Sequence, residues 1–429
     1  MALTYTAVEF TKSGDIADPG QLQKAIDAAG RSTDLLLFAH GWNNDIPHAA
    51  GLIRRLGDNV ESLLPDRLDA GRTLELVGLL WPSQQWGSDA ADTPGGGLAG
   101  RSAADDLKAG IGARLEDQPA ARQLQDTVDG LDRDPAAREA FLGLIRGLLP
   151  PPGEVNDDDA MPESLRTAAA ADVFQAVDEA GDDVAAQIVL PLPAEGEQID
   201  PAAVGGDQVV AAGFGDFFRN PFQRAQQLLN LVTFYQMKDR AGKVGGNGVK
   251  QLLEIVHAAH GGTRLHLAGH SFGARVVSKA AAVTSAPISS VSLLQGAYSH
   301  RGLAAAAGRF DDGAFRAMLT GAGLHGPVII THTHNDLAVT LAYALASRLA
   351  RQTGAGLGDA DDPYGGLGAN GAVQTAEAVP GVLGDEQEKY PFEAGSVYNL
   401  RADQHVSNHS DVTNLSVANA VLTAIAAGR

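Results

Sequence analysis

A serine at the apex of a tight strand–turn–helix restricts this chain more than any other feature. Residues 264–277 run Arg-Leu-His-Leu-Ala-Gly-His-Ser-Phe-Gly-Ala-Arg-Val-Val. The apolar stretch Leu265 to Ala268 has the composition of a buried strand. It breaks at Gly269-His270-Ser271-Phe272-Gly273, and small residues at helical spacing follow. Such a turn forces Ser271 into a strained backbone conformation and lifts its hydroxyl above the strand end. Gly269 and Gly273 leave room where a side chain would strike the neighbouring strand or helix. The helix after Ser271 also aims its first N–H groups at any oxyanion formed there. G-x-S-x-G alone arises by chance in a chain with 51 glycines, so the flanking strand and helix carry the argument. The competing reading is a glycine-flanked serine in an ordinary strand–helix turn.

With that context the segment resembles the nucleophile elbow of the α/β-hydrolase superfamily, and the resemblance extends upstream. Asp34-Leu35-Leu36-Leu37-Phe38-Ala39 is a continuous apolar strand that runs into His40-Gly41-Trp42-Asn43-Asn44. This is similar to the His-Gly-x turn of those enzymes, where glycine lets the backbone approach a substrate carbonyl. The resemblance implies Gly41 as turn support and the N–H groups of Trp42 and Phe272 as the oxyanion donors. The alternative is a strand–helix turn in which Asn44 or Asp45 caps a helix at Pro47 to Leu56.

A serine hydroxyl is a poor nucleophile near neutral pH and needs a base, which in turn needs an orienting acid. In the superfamily these follow the serine in the order acid, histidine, on loops after later strands. Pro327 to Thr331 has a buried-strand composition and ends in His332-Thr333-His334-Asn335-Asp336. Asp336 is the implied acid; it also suits the N-cap of the helix that follows, and the two roles are compatible. Val397 to Arg401 is the expected last strand, and His405 and His409 follow it. His409, directly before the closing helix at Leu415 to Ala427, is preferred as base; His405 is the alternative. His-x-His-x-Asp at 332–336 also resembles the start of the metallo-β-lactamase zinc motif, since imidazoles two apart on an extended segment face one way. That family continues with histidine where this chain has Leu337. A zinc hydrolase using His332, His334 and Asp336 is therefore a remote alternative, and no metal or other cofactor is expected.

Elsewhere strands and helices alternate: a strand at Tyr5 to Thr11, a helix at Pro19 to Ala29, a strand at Thr73 to Leu80. The expectation is an α/β protein with a mainly parallel sheet covered by helices on both faces. It forms a single domain over 1–429, with core segments 1–83 and 216–429. About 180 residues separate Ser83 from the elbow strand, far more than one crossover helix needs, so 84–215 reads as a large, mostly helical insertion and a candidate lid. Its clearest helix starts at Asp134-Pro135, carries the stripe Phe141, Leu144, Ile145, Leu148, Leu149, and stops at Pro150-Pro151-Pro152. Such a stripe lines an acyl pocket or simply packs. Asn220 to Asp239 reads as a helix, and Asn247 as the cap of another carrying Val249, Leu252, Leu253 and Val256. A second excursion, Gln352 to Glu393, is dense in Gly, Asp and Pro and reads as a surface loop without a spaced calcium pattern. Tyr235 to Gly242, Trp81-Pro82-Ser83 and Leu293 to Ala297 are similar to pieces of a branch of α/β-hydrolases with general labels such as serine peptidase.

A formal charge of −20 opposes nucleic acid and anionic membrane as partners. No apolar run reaches the length of a membrane span, and Met1 to Thr6 shows no secretory pattern; a cytoplasmic location is expected. Zero cysteines exclude disulfides and thiol catalysis. The resemblance implies a serine hydrolase acting on a small-molecule or acyl substrate, an ester first and a peptide second. A non-catalytic protein that keeps the fold for binding is the reading from a different class.

Overall fold

The computed structural model describes residues 3–42, 46–83, 102–115, 117–150, 162–187, 220–308, 310–336, 338–340, 343, 349 and 365–428. Eight strands form one sheet: β1 (Tyr5–Glu9), β2 (Asp34–Ala39), β3 (Leu74–Leu80), β4 (Arg264–His270), β5 (Ile288–Leu294), β6 (Val328–His332), β7 (Ala378–Val382) and β8 (Val397–Arg401). Their order is β1-β3-β2-β4-β5-β6-β8-β7, and every pairing is parallel. The expected α/β class therefore holds, with a sheet parallel throughout.

Burial on both faces explains the sequence pattern. β2 and β5 are buried at every position, so they show continuous apolar or small residues instead of alternation. One face is covered by helices Pro19–Arg31, Pro221–Val244 and Phe272–Val283, and the hydrophobic cluster there runs on into the insertion. The other face is covered by Ile46–Arg67 and Leu415–Ala427, which pack on each other and on the sheet. Among the described residues no helix is long and apolar enough to cross a membrane.

Three expectations need correction. Asn247 does not begin a helix. The chain passes from Pro221–Val244 through a π-turn at Gly245–Val249 straight into Lys250–Ala259. The cause is steric: a Cβ on Gly245 would lie 2.3 Å from the Val276 carbonyl oxygen, and one on Gly248 2.2 Å from that of Gly14. The glycines let two backbones touch a helix that continues. Asn247 instead donates its side-chain amide to the Ser13 carbonyl.

Second, the excursion Gln352 to Glu393 is not only a surface loop. Its residues 352–364 lie outside the described residues, but Gly365 to Ala369 are buried and Ala378–Val382 forms edge strand β7. Pro380 is tolerated there because β7 has one partner, β8. Third, the insertion helix Pro135–Gly147 buries Phe141, Leu142 and Ile145. Leu144, Leu148 and Leu149 are only partly buried against the same cluster, so the buried stripe is rotated by about one residue. The Asp134 side chain caps that helix as expected. Most of 151–219 lies outside the described residues.

The chain leaves β2 toward β3 on one side and reaches β4 on the other. The crevice between the carboxyl ends of β2 and β4 is thus a topological switch point, the usual ligand position in open parallel sheets. Gly273 sets its width. A Cβ there would meet the Ala39 carbonyl oxygen at 2.1 Å and that of His40 at 2.6 Å. Backbone cannot swing aside as a side chain can, so Gly273→Ala is expected to destabilise the protein by about 1–3 kcal/mol, measured by urea denaturation. An unchanged midpoint would contradict this packing.

Candidate active site

Ser271 links β4 to helix Phe272–Val283 with φ 56° and ψ −123°. This conformation is rare for a residue with a side chain and marks stored strain. Its neighbours hold it there. The Ser271 N–H donates to the Leu294 carbonyl (3.0 Å), and the Ala297 N–H donates to the Ser271 carbonyl (3.1 Å). A Cβ on Gly269 would lie 2.3 Å from the Gly273 carbonyl oxygen, so the two glycines of the turn touch.

His409 lies in the loop after β8, with its ring between Ser271 and Asp336. Nε2 is 2.9 Å from Ser271 Oγ, and Nδ1 is 2.9 Å from Asp336 Oδ2. A carboxylate only accepts, so Nδ1–H donates to Asp336 and Nε2 is left as the acceptor for the serine hydroxyl. The Asp336 side chain is fully buried, and that of His409 is 19% exposed. Asp336 Oδ1 accepts the Val339 N–H at 3.0 Å, so the carboxylate orients the histidine with one oxygen and caps the following turn with the other. Behind it, a Cβ on Gly368 would come within 2.8 Å of Asp336 Oδ2. The Gly368 carbonyl accepts the Thr333 N–H (2.9 Å) and the Gln295 side-chain amide (3.1 Å). The glycine-rich excursion thus closes over the acid.

His405 faces elsewhere, with its Nδ1 3.1 Å from Ser416 Oγ. The other histidines of the sequence motif also diverge. His334 is 78% exposed and points toward Asp403 at 3.5 Å. His332 hydrogen-bonds the Ala369 carbonyl, and its burial lowers its pKa. With Asp336 committed to His409, His332, His334 and Asp336 have no common focus. Among the described residues no group of three or more His, Asp or Glu side chains is placed to hold a metal.

The other wall of the crevice is His40-Gly41-Trp42. A Cβ on Gly41 would lie 2.8 Å from Ser271 Cβ, so the turn rests directly on the serine. Phe272 opens its helix, and its N–H has no acceptor in the helix's own ladder. The Trp42 and Phe272 rings meet edge to face at 6.2 Å, Phe272 meets Phe234 at 5.0 Å, and Phe234 meets Tyr343 at 5.9 Å. These rings form an aromatic wall beside the elbow.

Two buried histidines that the sequence reading left without a role position this site. His40 is clamped by Trp81. The Trp81 N–H donates to His40 Nε2 (3.2 Å), the indole N–H donates to the His40 carbonyl (2.8 Å), and the rings stack at 5.8 Å. His40 Nδ1–H then donates to the Gly41 carbonyl at 2.9 Å. That tautomer is neutral, in keeping with a pKa that burial pushes down to about 4. His270 Nε2–H donates to the His409 carbonyl at 2.8 Å, tying the loop after β8 to the turn at Ser271. Burial first, and the nearby His409 second, lower its pKa to about 3. The short motifs interlock as well, since Arg240 donates to the Pro82 carbonyl at 2.6 Å.

Ser, His and Asp also meet a second time, at the opposite end of the strands. Ser290 Oγ is 2.8 Å from His266 Nδ1, and His266 Nε2 is 3.0 Å from Asp34 Oδ1. Burial works to raise the Asp34 pKa, but hydrogen bonds from His266, Arg72 and Thr33 outweigh it and hold the carboxyl well below the usual range. All three residues are at most 1% exposed, and Ser290 is an ordinary strand residue. A hollow of about 730 Å³ lined by Arg72, Arg264 and Phe392 lies at this end. A hydrogen-bonded trio is thus not sufficient; backbone strain at Ser271 and the partial exposure of His409 distinguish the trio at 271, 409 and 336.

No family model matches the chain, and neither a curated protein nor a solved structure does so.

The neutral histidines make stability pH-dependent. Unfolded histidine takes up a proton near pH 6.5, whereas folded His40 and His270 resist until about 4 and about 3. The unfolded state therefore binds more protons in this window, and stability falls as pH drops below about 6.5, by roughly 1.4 kcal/mol per unit per histidine. Urea denaturation between pH 7 and pH 5 should show this slope, and His270→Gln should flatten it. An equally steep slope in that variant would contradict a neutral, buried His270.

Proposed function

We propose that the chain is a serine hydrolase of the α/β-hydrolase kind that cleaves a carboxylic ester through an acyl-enzyme on Ser271. The observation that carries this reading is the His409 imidazole spanning Ser271 Oγ and Asp336 Oδ2 at 2.9 Å on each side.

In the proposed reaction Ser271 Oγ attacks the carbonyl carbon while His409 Nε2 takes its proton. Asp336 keeps Nδ1 protonated and stabilises the imidazolium. The carbonyl oxygen, now negative, lies against the N–H groups of Trp42 and Phe272, each worth roughly 3–4 kcal/mol in the transition state. His409 returns the proton to the leaving alkoxide as the C–O bond breaks. Water, deprotonated by the same nitrogen, then attacks the acyl carbon and frees Ser271. The aromatic wall at Trp42, Phe272 and Phe234 suits an apolar acyl chain beside the serine. An ester ranks above a peptide because an amine leaves only with fuller protonation, and no residue beside His409 is dedicated to that.

Short p-nitrophenyl esters provide the test. Ser271→Ala and His409→Ala are each expected to lower kcat by about four orders of magnitude or more, with circular dichroism unchanged. His405→Ala should retain activity within a few-fold. Undiminished turnover in Ser271→Ala would refute the mechanism. A wild-type protein that hydrolyses neither esters nor peptides would favour the binding role.

A further inference from the structure

Among the described residues, the buried cation Arg301 forms no ion pair. It lies four residues past Ala297, in the segment that leaves β5, and it is 3% exposed. Nη1 donates to the Gln374 side-chain oxygen, and the guanidinium carbon sits 3.8 Å over the Phe310 ring. Neither contact neutralises the charge. Nε and Nη2 are both buried with no hydrogen-bond partner.

Among the described residues, two carboxylates on neighbouring segments are engaged elsewhere. Glu377, three residues beyond Gln374, is bidentate on Arg316 at 2.6 and 2.7 Å. Asp312 accepts the Ala306 N–H at 2.7 Å. A lone buried ion is costly, and each orphaned donor adds to that penalty. An anion seated on these donors would offset that penalty. The surroundings are also built. Gln374, the acceptor of Nη1, is held at φ 53°, a left-handed conformation costly for a residue with a side chain. Phe310 covers one guanidinium face, and residues 306–308 beside it are exposed.

Nε–H and Nη2–H leave the guanidinium along the same edge, parallel and spaced to match two oxygens of one oxyanion. We propose that the edge of Arg301 is a binding site for a small oxyanion, a carboxylate or a phosphate, held side-on by these two donors. The site does not depend on Ser271 chemistry, so its test uses binding and stability.

The full-length protein is titrated with inorganic phosphate, with acetate and with chloride at matched ionic strength. The readouts are the thermal unfolding midpoint and, for phosphate, equilibrium dialysis. A saturable rise of the midpoint is expected with one of the oxyanions and not with chloride, as selective binding to the native state requires. Which oxyanion acts distinguishes a phosphate-bearing ligand from a carboxylate-bearing one. Arg301→Met should abolish the response. Arg301→Lys, which keeps charge but not the planar fork, should weaken apparent affinity by about tenfold or more. Should Arg301→Met not fold, the lysine variant and the wild-type titration decide. The proposal is overturned if the wild type responds to neither oxyanion, or if Arg301→Lys responds with unchanged affinity.

Discussion

Contact between glycine and backbone carbonyl at the mouth of β2 and β4 is the constraint on which the site depends. Gly273 lies against the Ala39 and His40 carbonyls, Gly269 against Gly273, and Gly41 against Ser271. Three missing side chains let a strand end, a helix start and a turn share one small volume. The helix then begins in direct contact with the His40 turn. The strain at Ser271 is paid for by this packing, together with the backbone bonds from Ser271 and Ala297 to neighbouring carbonyls.

Histidine chemistry here is divided by burial and partners. His40 and His270 are fully enclosed and neutral, and each spends its N–H on a carbonyl that fixes a loop. His409 keeps partial access, with a carboxylate on one nitrogen and a hydroxyl on the other. His266 binds the same residue types as His409 but is sealed inside the sheet. Identical side chains thus serve as clamp, proposed base and structural strut, and access to solvent and substrate decides among them.

Much of the fold was legible because buried parallel strands leave unbroken apolar runs. β2 coincides with Asp34 to Ala39, and β4 and β6 fall where such runs end in histidine, whereas β8, Val-Tyr-Asn-Leu-Arg, is buried only at Val397 and Leu400. The strand–turn–helix at Ser271 was legible because only glycines on both sides permit that turn, whereas Asp336 and His409 were singled out through the chain order that the resemblance implies. What remained hidden lacked a local signal. Ala378–Val382 contains Pro and Gly and becomes a strand only through pairing with β8. The glycines at 245–248 read as a helix boundary, whereas they serve a backbone contact remote in sequence. His270 occupies the variable place of a short motif, and its bond to the His409 carbonyl spans 139 residues, so spacing could not reveal it. The Ser290–His266–Asp34 chain joins three strands and was equally silent.

The central claim is that the Ser271 hydroxyl is activated by an imidazole that Asp336 orients. Reaction with a fluorophosphonate, followed by peptide mapping, tests it most directly, because that reagent bonds only to a serine already made nucleophilic. The account predicts one phosphonylated residue, Ser271, and loss of labelling in His409→Ala. Modification of a different serine with Ser271 untouched, or undiminished labelling without His409, would contradict it.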